Sequence, residues 1–149
     1  MAPLWELCYD GKLAGVRAAL ARGEDINFKD ISKKNGSDIT GLMCAVILNH
    51  NSIVRLLLEQ PTLDLNCSDG VGRTALHRAV RCGNVEAVRM LLADARLNIA
   101  NHKDSDGNTP VMAAMAWHSL NALRELVAHP SIDLDTKDQF GMGLEEVAR

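Results

Sequence analysis

A chain of 149 residues is long enough for one domain or one short solenoid and too short for two full domains. Apolar residues make up 47% of it but aromatic ones only 3%, so Leu, Ala, Val and Met must build the core, which suits closely packed helices better than a sandwich or barrel. A formal net charge of −3 argues against nucleic acid as the main partner, and the longest apolar runs, LMCAVIL and VMAAMAW, have seven residues against the ~20 of a bilayer span.

The opening segment, MAPLWELCYDGK, has no basic stretch leading into an apolar one, so no secretory signal is read there. From Ala2, APLWELCYDGKLAGVRAAL predicts a degenerate helix pair broken at Gly11, in which Trp5, Glu6, Tyr9, Asp10 and Lys12 suit a partly solvated end. Twelve residues, FKDISKKNGSDI, then separate Asn27 from Thr40, against seven between Asn66 and Thr74. The extra five are expected to lengthen a projecting finger without disturbing the stack, because loops absorb insertions cheaply. Lys29, Lys33 and Lys34 make this finger locally basic, which fits either contact with an acidic patch on a partner or a plain solvated tip.

Three segments then align: TGLMCAVILNHNSIVRLLL from Thr40, TALHRAVRCGNVEAVRMLL from Thr74 and TPVMAAMAWHSLNALRELV from Thr109, with starts 34 and 35 residues apart. Each threonine stands where a helix N-cap belongs, and Pro110 follows at the first helical position, where a missing N–H costs nothing. Leu42, Ala45 and Val46, like Leu76, Ala79 and Val80, fall on one helical face. The first helix of each copy is predicted to end at Gly11, Asn49 or Gly83, residues that tolerate the left-handed conformation. His118 takes that place in the last full copy and predicts a strained or differently shaped turn.

A second helix follows in each copy. Its stripes are Ile53, Leu56 and Leu57; Val85, Val88, Leu91 and Leu92; and Leu120, Leu123 and Val127, with Pro61 and Pro130 standing just beyond two of the helices. Between copies lie LDLNCSDGVGR, LNIANHKDSDGN and IDLDTKDQFGM, each with an Asp/Gly-rich tip that predicts a β-turn. A fifth copy, GLEEVAR, begins near Gly143 and stops within its first helix, as in a trimmed repeat or a short capping helix. The expected organisation is a single repeat domain with units at 1–35, 36–68, 69–103 and 104–137 and a partial cap at 138–149.

Asp69, Gly72, Thr74-Ala75-Leu76-His77, Ala79, Gly83, Val88, Leu91 and Leu92 resemble the ankyrin repeat consensus nearly position by position, and similar matches in the copies at Thr40 and Thr109 extend the resemblance over almost the whole chain. The resemblance implies an all-α repeat protein, an ankyrin-type solenoid of helix–turn–helix units with β-hairpin-like loops and a concave face that binds proteins. It implies that His77 ties its turn together by hydrogen bonding. It further implies that Asn27 and Asn66 stabilise turns at a place which oxygen-sensing hydroxylases can modify, with Ala100 and Asp135 in the next two copies.

Chemistry is not expected. His77 and Cys82 are five residues apart and point to different faces of a helix, with no third activating group. The five histidines show no metal-binding spacing, and DSDGN at 104–108 lacks the closing Glu of a calcium loop, so it reads as a solvated turn. Cys8, Cys44, Cys67 and Cys82 form no CxxC pair and read as free thiols in a reducing, intracellular setting. No cofactor, metal, nucleic acid or membrane is expected, and the chain is expected to be monomeric.

The resemblance places partner contacts on the exposed side of the first helices and on the finger tips. Carried over, the inner-helix positions are Tyr9 and Asp10, Ile47 and Leu48, Arg81 and Cys82, and Ala116 and Trp117. The tips offer Val71 and Arg73, Ser105, Asp106 and Asn108, and Gln139, Phe140 and Met142. Leu48, Cys82 and Trp117 share one repeat position, where a solvated surface would favour polar residues. With Ile47 and Phe140 they are expected to form an apolar strip flanked by Arg73 and Arg81. The alternative is that Trp117 and Leu48 fold back to fill gaps between units. The expected function is protein–protein interaction as an adaptor or scaffold; inhibition of a kinase or transcription factor through the same surface is the alternative.

Overall fold

The threonine N-caps set the frame. In the computed structural model, which describes residues 1–31, 38–98, 100–138 and 140–143, the Oγ1 atoms of Thr40, Thr74 and Thr109 accept from the backbone N–H three residues on, at Met43, His77 and Met112. These caps open α3 (Gly41–Ile47), α5 (Ala75–Arg81) and α7 (Pro110–Ala116). The first unit has no threonine; there the Leu4 N–H donates to the Glu24 carboxylate at 2.8 Å and opens α1 (Leu4–Tyr9). Each of these short helices turns back into a partner: α2 (Leu13–Ala21), α4 (Asn51–Leu58), α6 (Val85–Ala93) and α8 (Leu120–Ala128).

The turn between the two helices is the same in all four units. Gly11, Asn49, Gly83 and His118 have φ of 71°, 59°, 67° and 53°. In the last two units the following N–H groups bond to equivalent carbonyls, Val80 and Ala79 in one and Met115 and Ala114 in the other. His118 therefore adopts the common turn rather than a different shape, and it carries the cost of a Cβ in the left-handed region.

The helices stack in two layers, α1–α3–α5–α7 and α2–α4–α6–α8, with each unit touching its neighbours. Ala45, Ala79 and Ala114 lie on the inner helices with at most 1% exposure, and their small size lets adjacent helices approach. The expected stripe of α8 needs correction. Ala122 and Leu126 are its buried residues, Leu123 is half-buried, and Leu120 and Val127 are 65% and 48% exposed. Their counterparts Val85 and Leu92 lie in a unit covered on both sides, whereas among the described residues no helix packs against the far side of α7 and α8. Among the described residues, no helix is long and apolar enough to cross a membrane.

The long connection after Asn27 forms a hairpin stem. Strand β1 (Lys29–Asp30) pairs antiparallel with β2 (Ile39–Thr40), Lys29 opposite Thr40, while α1 still packs on α3. The shorter finger closes with a single bridge, Ser68 to Thr74, in the corresponding place. Lys33, Lys34 and the rest of 32–37 lie outside the described residues, as do Gln139 and 144–149. Lys29 is not a free basic contact: its ammonium donates to the Ser68 carbonyl of the next finger at 2.7 Å, as Lys103 does to the Lys137 carbonyl at 2.6 Å.

Asparagines tie the fingers together further. The Asn27 Nδ2 donates to the Thr62 carbonyl while its Oδ1 accepts from the Asp64 N–H, at 2.9 and 2.7 Å. Asn66 repeats both bonds with Arg96 and Asn98. The third member is Asn101, bonded to Ser131 and Asp133, and not the neighbouring Ala100, which is buried. In all three the amide is engaged at both ends, a structural role that locks adjacent units.

Candidate binding cleft on the inner-helix face

The candidate contact residues sit where the inner helices stop. Leu48, Cys82 and Trp117 are the C-cap residues of α3, α5 and α7, so the repeat itself sets them in a row. They do not fill gaps between units: Leu48 is 39% exposed, Trp117 is 52% exposed, and Cys82 is also exposed. Ile47 is half-buried at the end of α3, and Arg81 and Ala116 are exposed. On the fingers, Val71 and Phe140 are 43% and 77% exposed.

Only part of this set converges. Arg73, Arg81, Asp106, Asn108 and Trp117 surround one cleft of about 290 Å³, together with His77, Asp104, Ala113 and Ala116. Ala113 and Ala116 on α7 leave the space that larger side chains would fill. Trp117 and Arg81 stand together on the helix side, with the Arg81 guanidinium carbon 4.5 Å from the indole centroid. Leu48, Ile47, Val71, Cys82 and Phe140 do not line this cleft.

The finger wall is rigid because carboxylates organise it. One oxygen of Asp69 accepts from the Val71 and Arg73 N–H groups, and one of Asp104 from Asp106 and Asn108. Asp138 repeats the arrangement with Phe140 and Met142. The DSDGN segment is thus a turn closed by its own first aspartate. Asp69 also holds Arg78, and Asp104 faces Arg73 at 3.6 Å, with Asp106 near the same guanidinium at 3.9 Å. Gly72, at φ 75°, sits against the next finger; a Cβ there would lie 3.1 Å from the Ser105 nitrogen, which donates to the Val71 carbonyl.

His77 is buried beneath the cleft. Its Nδ1 accepts from the Thr74 N–H and hydroxyl at 3.3 and 3.0 Å, and its Nε2 donates to the Asn108 carbonyl at 2.9 Å. A carbonyl can only accept, which fixes the proton on Nε2. Burial lowers the imidazole pKa, against the smaller opposing effect of the Asn108 carbonyl. No nitrogen is left to activate Cys82, an exposed residue whose thiol pKa is still raised by partial desolvation of the sulfur, against the opposing charges of Arg78 and Arg81. Cys8 and Cys44 are buried more deeply, and desolvation pushes both thiols to about 12. Among the described residues no three His, Cys, Asp or Glu side chains converge as a metal site.

Asp104 and Ala113 belong to the cleft but were not among the expected contacts. The recurrence of aspartate at 69, 104 and 138 was the available signal for the first; a small residue on a helix face gave none for the second.

Helix pairs of this kind, recurring at a fixed period and stacked through fingers, define a helical repeat protein. The model of ankyrin repeats (3 copies) matches residues 4–101, and the chain belongs to the ankyrin repeat family. Repeats of this family are generally protein–protein interaction modules and typically non-enzymatic. Similar proteins include an ankyrin repeat protein of fowlpox virus, 34% identical over 83% of this chain and 35% of the viral protein. BTB/POZ domain-containing protein 1 of Schizosaccharomyces pombe is 36% identical over 76% of this chain and 8% of its own length. A transient receptor potential cation channel subfamily A member 1 homolog of Caenorhabditis elegans is 41% identical over 46% of this chain and 6% of its own length. The chain thus spans about a third or less of these relatives.

Proposed function

We propose that this chain is a monomeric, intracellular adaptor or scaffold module that holds a partner protein against its inner-helix face and finger tips. The observation that carries this reading is the row of Leu48, Cys82 and Trp117 at successive C-caps, exposed where solvation alone would select polar residues. Trp117 and the adjacent Arg81 are residue types that commonly anchor interfaces. The Asn and Lys ties between fingers make the surface stiff, so little ordering cost opposes binding.

Quantitative affinity capture from the native cell tests it, comparing the wild type with Trp117→Ala and Leu48→Ala and measuring the melting temperature of each. Loss of the same partners from both variants with little change in melting temperature supports the proposal. Undiminished capture accompanied by a sharp fall in melting temperature overturns it.

A further inference from the structure

The cleft carries a charge with no counterion of its own. Arg73 faces Asp104 and Asp106, and Arg78 is held by Asp69. Among the described residues, no carboxylate lies within 4.0 Å of the Arg81 guanidinium. Its neighbour is instead the Trp117 ring at 4.5 Å, which restrains a long flexible side chain without neutralising it. Trp117 still has 52% of its surface open, and Ala113 and Ala116 keep the floor beside it low. A restrained guanidinium beside an open indole matches a carboxylate next to an apolar side chain, since the fork of N–H donors suits two carboxylate oxygens.

We propose that this cleft selects an acidic peptide segment: an Asp or Glu carboxylate on Arg81, with an adjacent large aliphatic or aromatic side chain on Trp117. The inference rests on the inner-helix face being the binding surface and adds the chemistry of what it takes. The chain's overall negative charge does not conflict with it, because the attraction is local: Asp104 is committed to Arg73 and to two backbone N–H groups, and Asp106 lies beside the same Arg73 guanidinium at 3.9 Å.

The test uses a random 12-residue peptide library displayed on phage, selected on the 149-residue chain, with winning peptides synthesised and titrated by calorimetry against the wild type and the variants. Peptides whose binding needs Trp117 are expected to carry Asp or Glu beside a large apolar residue. Changing that acid to its amide, or Arg81→Gln, should weaken them about tenfold or more. Arg89→Gln on the outer layer, where Arg89 pairs with Glu125, should leave affinity unchanged. Arg81→Glu should restore binding to the same peptide carrying Lys in place of the acid. Trp117-dependent peptides indifferent to charge, or enriched in basic residues, overturn the carboxylate assignment while leaving the inner-helix face as the binding surface. Failure to select any peptide that depends on Trp117 or Leu48 overturns both.

Discussion

Asn84 reaches across the stack to the Val46 carbonyl, at 3.0 Å, and so joins the start of α6 to the end of α3 in the preceding unit. That bond is donated by Nδ2, while the oxygen of the same amide caps α6 by accepting from the Ala87 N–H, and Asn51 pairs with Asn84 at 2.8 and 3.1 Å. Neighbouring units solve the same problem with other residues: Ser119 donates to the Val80 carbonyl at 2.9 Å, and His50 Nε2 meets the Tyr9 carbonyl at 3.1 Å. Position, not residue type, is what the stack requires there. Asn84→Ala removes the cap and strands a buried carbonyl, so it should cost about 1–3 kcal/mol in urea unfolding. Asn84→Ser should recover at least half of that loss, because Ser119 already makes the bond; equal destabilisation by Ala and Ser would contradict this.

His77 makes stability depend on pH. Its imidazole is held neutral by burial, with Nδ1 accepting and Nε2 donating, so its folded pKa lies below the unfolded value near 6.5. The unfolded chain therefore takes up the proton first as pH falls. The contribution is complete above about pH 6.5 and declines below it, before the carboxylates begin to titrate. Melting temperature should fall between pH 7 and pH 5. His77→Met, which places there the residue found at the equivalent Met43 and Met112, should flatten that slope. It should also lower stability at pH 7 by about 1–3 kcal/mol through the unmet Asn108 carbonyl. An unchanged slope in the variant would assign the pH dependence elsewhere.

Much of this was legible in the sequence because the repeat forces it. Threonine caps, the positive-φ turn residues and the inner-helix core follow from local rules applied at a fixed period, and four copies checked one another. Asn101, not Ala100, continues the series because the stretch from Thr74 to Asn101 is one residue longer than that from Thr40 to Asn66. Counted back from the N-cap, Asn66 and Asn101 each stand eight residues before Thr74 and Thr109, and the correct residue is plain. The α8 stripe failed for a different reason: periodicity identifies a face, but whether Leu120 and Val127 are covered depends on a neighbour. Lys29 looked like a surface charge because a reach of 39 residues to Ser68 leaves no local signature. The Arg81–Trp117 pair was equally hidden, since it joins two units through side-chain reach alone.

His118 offers a stabilising change. It is the one histidine among four equivalent turn residues, at φ 53°, and it lies exposed. His118→Gly removes the Cβ penalty of the left-handed region, about 1–2 kcal/mol, and adds back part of it through the looser unfolded chain. A net gain of up to about 1 kcal/mol is expected, or a rise of about 2–4 °C in melting temperature. A loss of stability would mean that the imidazole makes a contribution its exposure does not reveal.

Arg96 closes the outer layer from the following unit. Its guanidinium donates to the Gln60 and Leu58 carbonyls at 2.7 and 2.6 Å, at the C-terminal end of α4, where a cation opposes the helix dipole. Asp94 holds it in place through both carboxylate oxygens, at 3.0 and 2.7 Å. The Arg96 hydrogen bonds in turn hold the Asp94 carboxyl below its usual pKa. The last unit does the same job with His129, whose Nε2 meets the Leu92 carbonyl at 3.0 Å. Arg96→Ala should destabilise by about 1–3 kcal/mol at pH 7, the lower part of that range being favoured because the side chain is one-third exposed to screening solvent. A carboxylate with a depressed folded pKa contributes above its unfolded pKa and loses that contribution as pH falls through the folded value. The gap between wild type and Arg96→Ala should therefore begin to narrow below about pH 4, where Asp94 of the unfolded chain takes up its proton, and keep narrowing until the folded carboxyl is protonated at lower pH. It should not close, because the bonds to Leu58 and Gln60 do not titrate. Urea unfolding at pH 7 and pH 3 checks both parts: complete convergence would assign the whole effect to the ion pair, and a constant gap would assign none of it.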